Sequence, residues 1–306
     1  MTSVHVLVTG AGGFNGRRLV RALLGSGYEV TALVGRHRRT MGGDWPKSGG
    51  LRQLWGDLAG EVDLPPRIDA VIHAAARSWV PGVTTEAMVR DNALATGRLA
   101  IYARDAGAKK FINFSSLSVN GRIRGPEVDE TTPIIDPDVY GMTKFLGERL
   151  VAEQVSAFPS LSIRLPGVLG PDSARNWLTR MVETARNGGQ FRYFNPDSQF
   201  NNAVHVDDLA AFVVALLRRD WRDADVVTLG AAAAIPLRRV VEIVYGAFGD
   251  LDSVEIVPPT KPAFTIVSGK AAAHYGYIPA ETTGILARFV EERRAQSISK
   301  PQSGEM

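Results

Sequence analysis

The sequence contains no cysteine. That excludes disulfides, thiolate metal sites and cysteine nucleophiles, and it suits a cytoplasmic setting. There is no lysine-rich block either. Across 306 residues, 35 Lys and Arg against 32 Asp and Glu leave a formal charge of +3, spread along the chain. No basic stripe for nucleic acid is expected. No apolar run reaches the roughly 20 residues needed to span a bilayer. The first residues enter a short apolar segment and a glycine turn, which is not a signal-peptide pattern. His73 has no partner ligands at metal-binding spacing, and no metal is expected. Internal repeats and low-complexity tracts are missing. What remains is 45% hydrophobic and 22% charged, ordinary for a soluble globular protein. The length fits one large α/β domain or a domain with an appended lobe.

Val4 to Thr9 reads VHVLVT, an apolar β-branched run suited to a buried parallel strand. Gly10-Ala11-Gly12-Gly13-Phe14-Asn15-Gly16 follows, then a segment with helical apolar spacing at Leu19, Val20, Leu23 and Leu24. Strand, glycine turn and helix in that order suit a dinucleotide. Gly10 allows the tight turn, Gly13 lets backbone approach a pyrophosphate, and Gly16 lets the helix lie close to the strand. The helix N-terminus then faces the anion. After the second strand, Glu29 to Val34, the acid that would bind a ribose 2′-hydroxyl is missing, and Gly35-Arg36-His37-Arg38-Arg39 stands there. Arg36 and its neighbours suit a 2′-phosphate, which favours NADP(H) over NAD; a solvated basic loop is the alternative. Asp57, after a third strand at Leu51 to Trp55, can accept a hydrogen bond from an adenine amino group or simply close a turn. Ala74, Ala75 and Ala76 end a fourth strand and are small enough for cofactor contacts. His73 reads as a packed or cofactor-adjacent residue.

A fifth strand, Lys110 to Phe114, delivers Ser115 and Ser116. Tyr140 and Lys144 are four residues apart on a predicted helix over 138–157, so phenol and ammonium share a face. A lysine there lowers the cost of a phenolate, and the tyrosine can exchange a proton. Ser116 is placed to hold a substrate oxygen beside it, with Ser118 as the nearby alternative. A helix is predicted over 86–106 and a sixth strand over 161–165. This alternation predicts an α/β fold with a doubly wound parallel sheet. Beyond Pro166 the texture changes. Helices are predicted over 176–187, 207–217, 235–248 and near 282–294, strands over 225–229 and 254–257, and an irregular aromatic stretch over 191–202. The expected organisation is a dinucleotide-binding domain over 1–165, its sheet completed by about 203–230. A smaller substrate lobe comprises 166–202 and 231–296, and 297–306 is a flexible tail.

The motifs TGAGGFNG, GDL at Asp57, HAAA at His73, DNALATGRL around Asn92, FSSLSVNG, DVYGMTK, VHVDDLAA at His205 and GYIP at Gly276 occur in one order over nearly the whole chain. Together they resemble an extended short-chain dehydrogenase/reductase of the NAD-dependent epimerase/dehydratase family. The resemblance implies Ser116, Tyr140 and Lys144 as the catalytic set. It implies cofactor contacts from Gly10, Gly13, Phe14, Asn15, Gly16, Arg36, Asp57, Leu58, Ala74, Ala75, Ala76, Asn92, Ser115, Tyr140, Lys144 and Pro166. It implies substrate contacts from Ser116, Ser118 and Asn176. It also suggests a homodimer through the helices carrying Asn92 and Tyr140.

One departure bears on the substrate. Asn201 stands where nucleotide-sugar enzymes of this group often carry a diphosphate-binding arginine, and Lys261 replaces a later one, leaving Arg192 or Arg175 as further cationic candidates. Positions 117 and 118 are Leu and Ser, without the acid a dehydratase would want. The expected function is NAD(P)-dependent hydride transfer at a sugar carbinol or ketone, as an epimerase or a reductase of a nucleotide sugar. A keto-reductase of a non-sugar carbonyl and a non-catalytic dinucleotide sensor are the rival readings.

Overall fold

The computed structural model describes residues 4–35, 45, 48–174 and 176–299, except for the side chains of 297–299. The first half alternates strand and helix. β1 (His5–Thr9), α1 (Phe14–Gly25), β2 (Glu29–Val34), β3 (Leu51–Trp55) and β4 (Ala70–His73) come first. α2 (Thr85–Met88) runs through a π turn (Val89–Leu94) into α3 (Ala95–Asp105), where the sequence predicts one plain helix. β5 (Lys110–Ser116) ends in a 3-10 turn (Leu117–Asn120), followed by β6 (Glu127–Val128), α4 (Val139–Ala152) and β7 (Ser160–Leu165).

The second half holds β8 (Gly167–Leu169), α5 (Trp177–Arg186), β9 (Phe191–Tyr193), β10 (Gln199–Phe200), β11 (Ala203–His205) and α6 (Val206–Leu217). Then come β12 (Ala224–Thr228), β13 (Ile235–Pro236), α7 (Leu237–Val244), β14 (Val254–Ile256), β15 (Thr265–Ile266), α8 (Gly269–Tyr275) and α9 (Thr282–Ser299).

Seven strands form one parallel sheet in the order β12-β7-β5-β4-β1-β2-β3. The strand order reverses at β1, which lies between β4 and β2, and the crevice at its carboxyl end is where such sheets bind ligands. The central strands are apolar on both faces because helices cover both. Leu19, Val20 and Leu23 of α1 join Val6, Val8 and the α6 residues Leu209, Val213 and Leu216 in one core. Leu99, Ala100 and Ala103 of α3 join Leu7, Val71 and Phe111 in the other. A third core lies within the C-terminal elements, where Leu178, Met181 and Val182 of α5 meet Val240, Val241 and Val244 of α7 and Leu286 and Phe289 of α9.

The second half departs most from the sequence expectations. The stretch over 191–202 is not irregular. It holds β9, paired with β14, and β10, paired with β13. The predicted helix over 235–248 is shorter, since Ile235 and Pro236 are strand. α8 was not expected, and α9 continues to Ser299, into the predicted tail. These two-strand pairings join segments distant in sequence, which local periodicity does not encode. Among the described residues no helix is long and apolar enough to cross a membrane.

Candidate active site

The glycine turn is built for close approach. Gly10 has φ +65°, and a Cβ there would lie 2.6 Å from the Ala75 amide nitrogen. A Cβ on Gly16 would lie 2.2 Å from the Gly10 carbonyl oxygen, and one on Gly13 3.0 Å from it. The turn therefore lies against Ala74 and Ala75, at the mouth of the sheet crevice. No side chain caps the N-terminus of α1. The Asn15 Oδ1 is buried there without a hydrogen-bond partner. Uncapped amides and an unsatisfied polar atom beside a glycine cradle fit the pyrophosphate of a dinucleotide.

The remaining predicted cofactor residues divide. Phe14 packs its ring against the turn at Gly170. The exposed Asp57 closes its own turn by accepting from the Ala59 amide at 3.0 Å, and Leu58 packs onto the α3 side of the sheet. Arg36 and Arg175 lie outside the described residues. Asn92, expected at the cofactor, is buried on the π turn with its amide fully engaged. Its Oδ1 accepts from the Arg77 amide at 2.7 Å, and its Nδ2 donates to the Arg77 carbonyl and to Thr143 Oγ1. Thr143 in turn donates to the Tyr140 carbonyl. Asn92 thus braces the start of α4. The Ser115 hydroxyl is also committed, donating to Glu148 at 2.5 Å.

Ser116 ends β5 and caps the 3-10 turn, accepting from the Ser118 amide at 3.1 Å. Asp138 caps α4 through the Gly141 amide and sets Tyr140 in its first turn. Gly141 lets that turn touch the serine turn, since a Cβ there would lie 2.1 Å from the Ser118 carbonyl oxygen. The first turn of α4, which carries Tyr140, is brought against the 3-10 turn that follows Ser116 this way. Among the described residues neither the Tyr140 hydroxyl nor the Lys144 ammonium has a hydrogen-bond partner. Burial and then the Asp138 carboxylate push the Tyr140 phenol up to about 12. Burial pulls the Lys144 ammonium down to about 8, opposed by Glu148. In the free chain desolvation dominates at the phenol, so its net shift is upward. His73 is buried and neutral, lowered to about 3 by burial and then Lys144, with its ring held between Thr9 and Thr96.

Ser116 and Ser118 open onto a cavity of about 790 Å³. Pro166, Asn176, Trp177, Arg180, the segment 191–195, Gln199, Asn202 and the segment 261–264 line it. Among the described residues no carboxylate does. Of its cations Arg192 pairs with Glu255 at 2.8 Å, whereas Arg180 and Lys261 have no ion-pair partner among the described residues. Arg180 and Asn202 were not anticipated; position four of a helix capped by Asn176 was the available signal for Arg180.

Asn201, expected at the substrate, is not in the cavity wall. It is 7% exposed, and its Nδ2 donates to the carbonyls of Ala231 and Ile266 while its Oδ1 accepts from the Ile266 amide at 2.7 Å. Its polar atoms clamp β15, which also pairs with β6 between Ser116 and Tyr140. Asn120 is likewise structural, buried and donating to the Thr132 carbonyl. Elsewhere, His205, Asp207 and Glu292 bring ligand atoms within 4.8 Å of one another. Arg288 already satisfies these acids, at 2.6 Å from Asp207 and 3.9 Å from Glu292. Together with Arg288 these side chains link β11 and α6 to α9.

The sequence pattern of the family described as "NAD dependent epimerase/dehydratase family" matches residues 6–230. The chain belongs to that family. As a member of the epimerase/dehydratase family it is an enzyme of the extended short-chain dehydrogenase/reductase type, working by hydride transfer. It is 27% identical to a dTDP-glucose 4,6-dehydratase of Streptomyces griseus, over 91% of this chain and 90% of that one. It is 26% identical to a UDP-glucose 4-epimerase of Lactobacillus helveticus, over 75% and 77%. Among solved structures, MoeE5 in complex with UDP-glucuronic acid and NAD superposes with a TM-score of 0.77 at 25% identity, covering 95% of this chain and 99% of that one.

Proposed function

We propose that this chain interconverts a hydroxyl and a ketone on the sugar of a nucleotide sugar. The observation that carries this reading is the cavity beside Ser116, which among the described residues has no acid in its wall and leaves Arg180 and Lys261 without an ion-pair partner, with aromatic walls from Trp177, Phe191, Tyr193 and Phe194. Unpaired cations suit a diphosphate, and aromatic faces suit a base or sugar ring. A nicotinamide dinucleotide held by the turn at Gly10, Gly13 and Gly16 supplies the hydride chemistry. The chain's own residues do the rest. Ser116 holds the substrate oxygen, Tyr140 exchanges its proton, and Lys144 keeps a positive charge beside the phenol. A phenol near 12 is fully protonated at neutral pH, which poises Tyr140 to donate a proton to a ketone. With no carboxylate lining the cavity among the described residues, an epimerase or keto-reductase is favoured over a dehydratase.

A second reading, reduction of a non-sugar ketone, draws on the same aromatic walls. A non-catalytic sensor fits poorly with an intact Ser116, Tyr140 and Lys144. Incubating the purified chain with UDP- and dTDP-sugars and either dinucleotide, and following absorbance and sugar identity, separates these readings. The nucleotide-sugar reading fails if no nucleotide sugar turns over while an aryl or alkyl ketone does.

The same reading takes residues 166–202 and 231–296 as the substrate lobe, and Arg36 as a reason to favour NADP(H). A cytoplasmic setting accompanies it. A homodimer is also part of it. Leu94 and Ile101 on the π turn and α3, and Met142 and Leu146 on α4, are 43–50% exposed on two adjacent helices. Leu146→Glu places a charge on that apolar face and is expected to convert dimer to monomer by light scattering, with the melting profile of the monomer retained. A mass already monomeric in the parent chain rules the dimer out.

A further inference from the structure

We propose that the buried Ser115–Glu148–Arg164 cluster behind α4 sets the charge of Lys144, with Glu148 as the positioning residue. Lys144 and Glu148 are four residues apart on α4, so they share a face one turn apart. Lys144 is 3% exposed and Glu148 4%. The carboxylate's contacts are charge-assisted or short: Oε1 accepts from Ser115 Oγ and from Arg164 Nε at 2.9 Å, and Oε2 from Arg164 Nη2 at 2.8 Å. The Arg164 Nη1 is buried without a hydrogen-bond partner. A bridge serving stability alone gains little from burial and nothing from an unsatisfied guanidinium nitrogen. Its placement one turn behind a buried ammonium gives it a different use. Glu148 holds the proton on Lys144 against desolvation, and Arg164 limits how strongly it does so.

Among the described residues Glu148 is the one charge that acts on Lys144. β4 presents His73, which is neutral; on β5 the one charged residue, Lys110 at the strand's start, donates to the Leu217 and Arg219 carbonyls, and the 3-10 turn carries no charge. From the π turn and α3 come Asn92 and Thr96, and Asp91 is tied to Arg77 and Arg90. β12 contributes Asp225, held by Lys270, and on α4 itself Asp138 caps the helix start. The direction is consistent: burial lowers the Lys144 ammonium and Glu148 raises it.

The proposal rests on Lys144 serving the reaction described above, and its test separates the two. The full chain, labelled with carbon-13 at the lysine ε position, is titrated by NMR, with Lys144→Arg to assign the signal. Glu148→Gln is expected to lower the Lys144 midpoint by about one pH unit, and Glu148→Asp to restore it. Arg164→Met is expected to raise it. An unchanged midpoint in folded Glu148→Gln overturns the proposal, as does an equal shift in Glu148→Asp, which marks a steric role. With UDP-glucose as the probe, the basic limb of kcat/KM should follow the midpoint. A midpoint that moves without the limb supports the electrostatic assignment and removes Lys144 from the reaction.

Discussion

Tyr140→Phe is expected to reduce turnover by about 10²–10⁴-fold, the usual contribution of a positioned proton donor. The melting temperature and dinucleotide affinity should be unchanged. The reasoning is geometric. Among the described residues the Tyr140 hydroxyl has no hydrogen-bond partner, so its loss breaks no bond of the fold. The ring stays half-buried in the first turn of α4, and the Asp138 cap and the Asn92–Thr143 brace act through backbone and neighbours. Only the proton at the reacting oxygen is removed. Stopped-flow absorbance of the nicotinamide under single turnover checks this directly. Parent-level turnover in the variant would remove Tyr140 from the chemistry and leave the fold unexplained by its motif.

Gly141→Ala is expected to lose both stability and activity, and the sign is the informative part. In a helix interior Gly to Ala ordinarily stabilises by about 1 kcal/mol. Gly141 is helical, so no positive φ argues for glycine here. Its Cβ would instead lie 2.1 Å from the Ser118 carbonyl oxygen, a backbone atom that cannot rotate away. Either α4 or the 3-10 turn must shift, and overpacking of this kind costs about 1–3 kcal/mol. That shift also separates Tyr140 from Ser116, and misplacement of about 1 Å can cost about 10²-fold in rate. Denaturant melts and turnover together decide it. A stabilised, fully active Gly141→Ala would show that the two turns need not touch.

The two halves of the chain were not equally legible. In the first half, strands of Val, Ile and Leu alternate with helices of regular apolar spacing. Both periodicities are local, so the parallel sheet and the positions of Gly10, Ser116 and Tyr140 along it could be anticipated. The π turn at Val89–Leu94 could not, and the partners of the Asn92 it carries, Arg77 and Thr143, lie far away in the sequence. In the second half, β9, β10 and β15 each pair with segments brought close only by the folded chain. Side-chain roles failed for the same reason. Asn201 and Asn202 are adjacent amides, and the sequence pointed to the first as the ligand contact. The strand turn buries the first against Ala231 and Ile266 and leaves the second on the cavity.

The order of the motifs alone determined the family, the sheet and the reaction class, because glycine at a close approach and tyrosine four residues before lysine are requirements of residue type and spacing. The tertiary structure alone decided which polar groups remain free to act. It committed Asn92, Ser115 and Asn201 to the scaffold and left Arg180 and Lys261 facing the cavity. Hydrogen-bond satisfaction depends on partners that are distant in the chain and meet only when it folds.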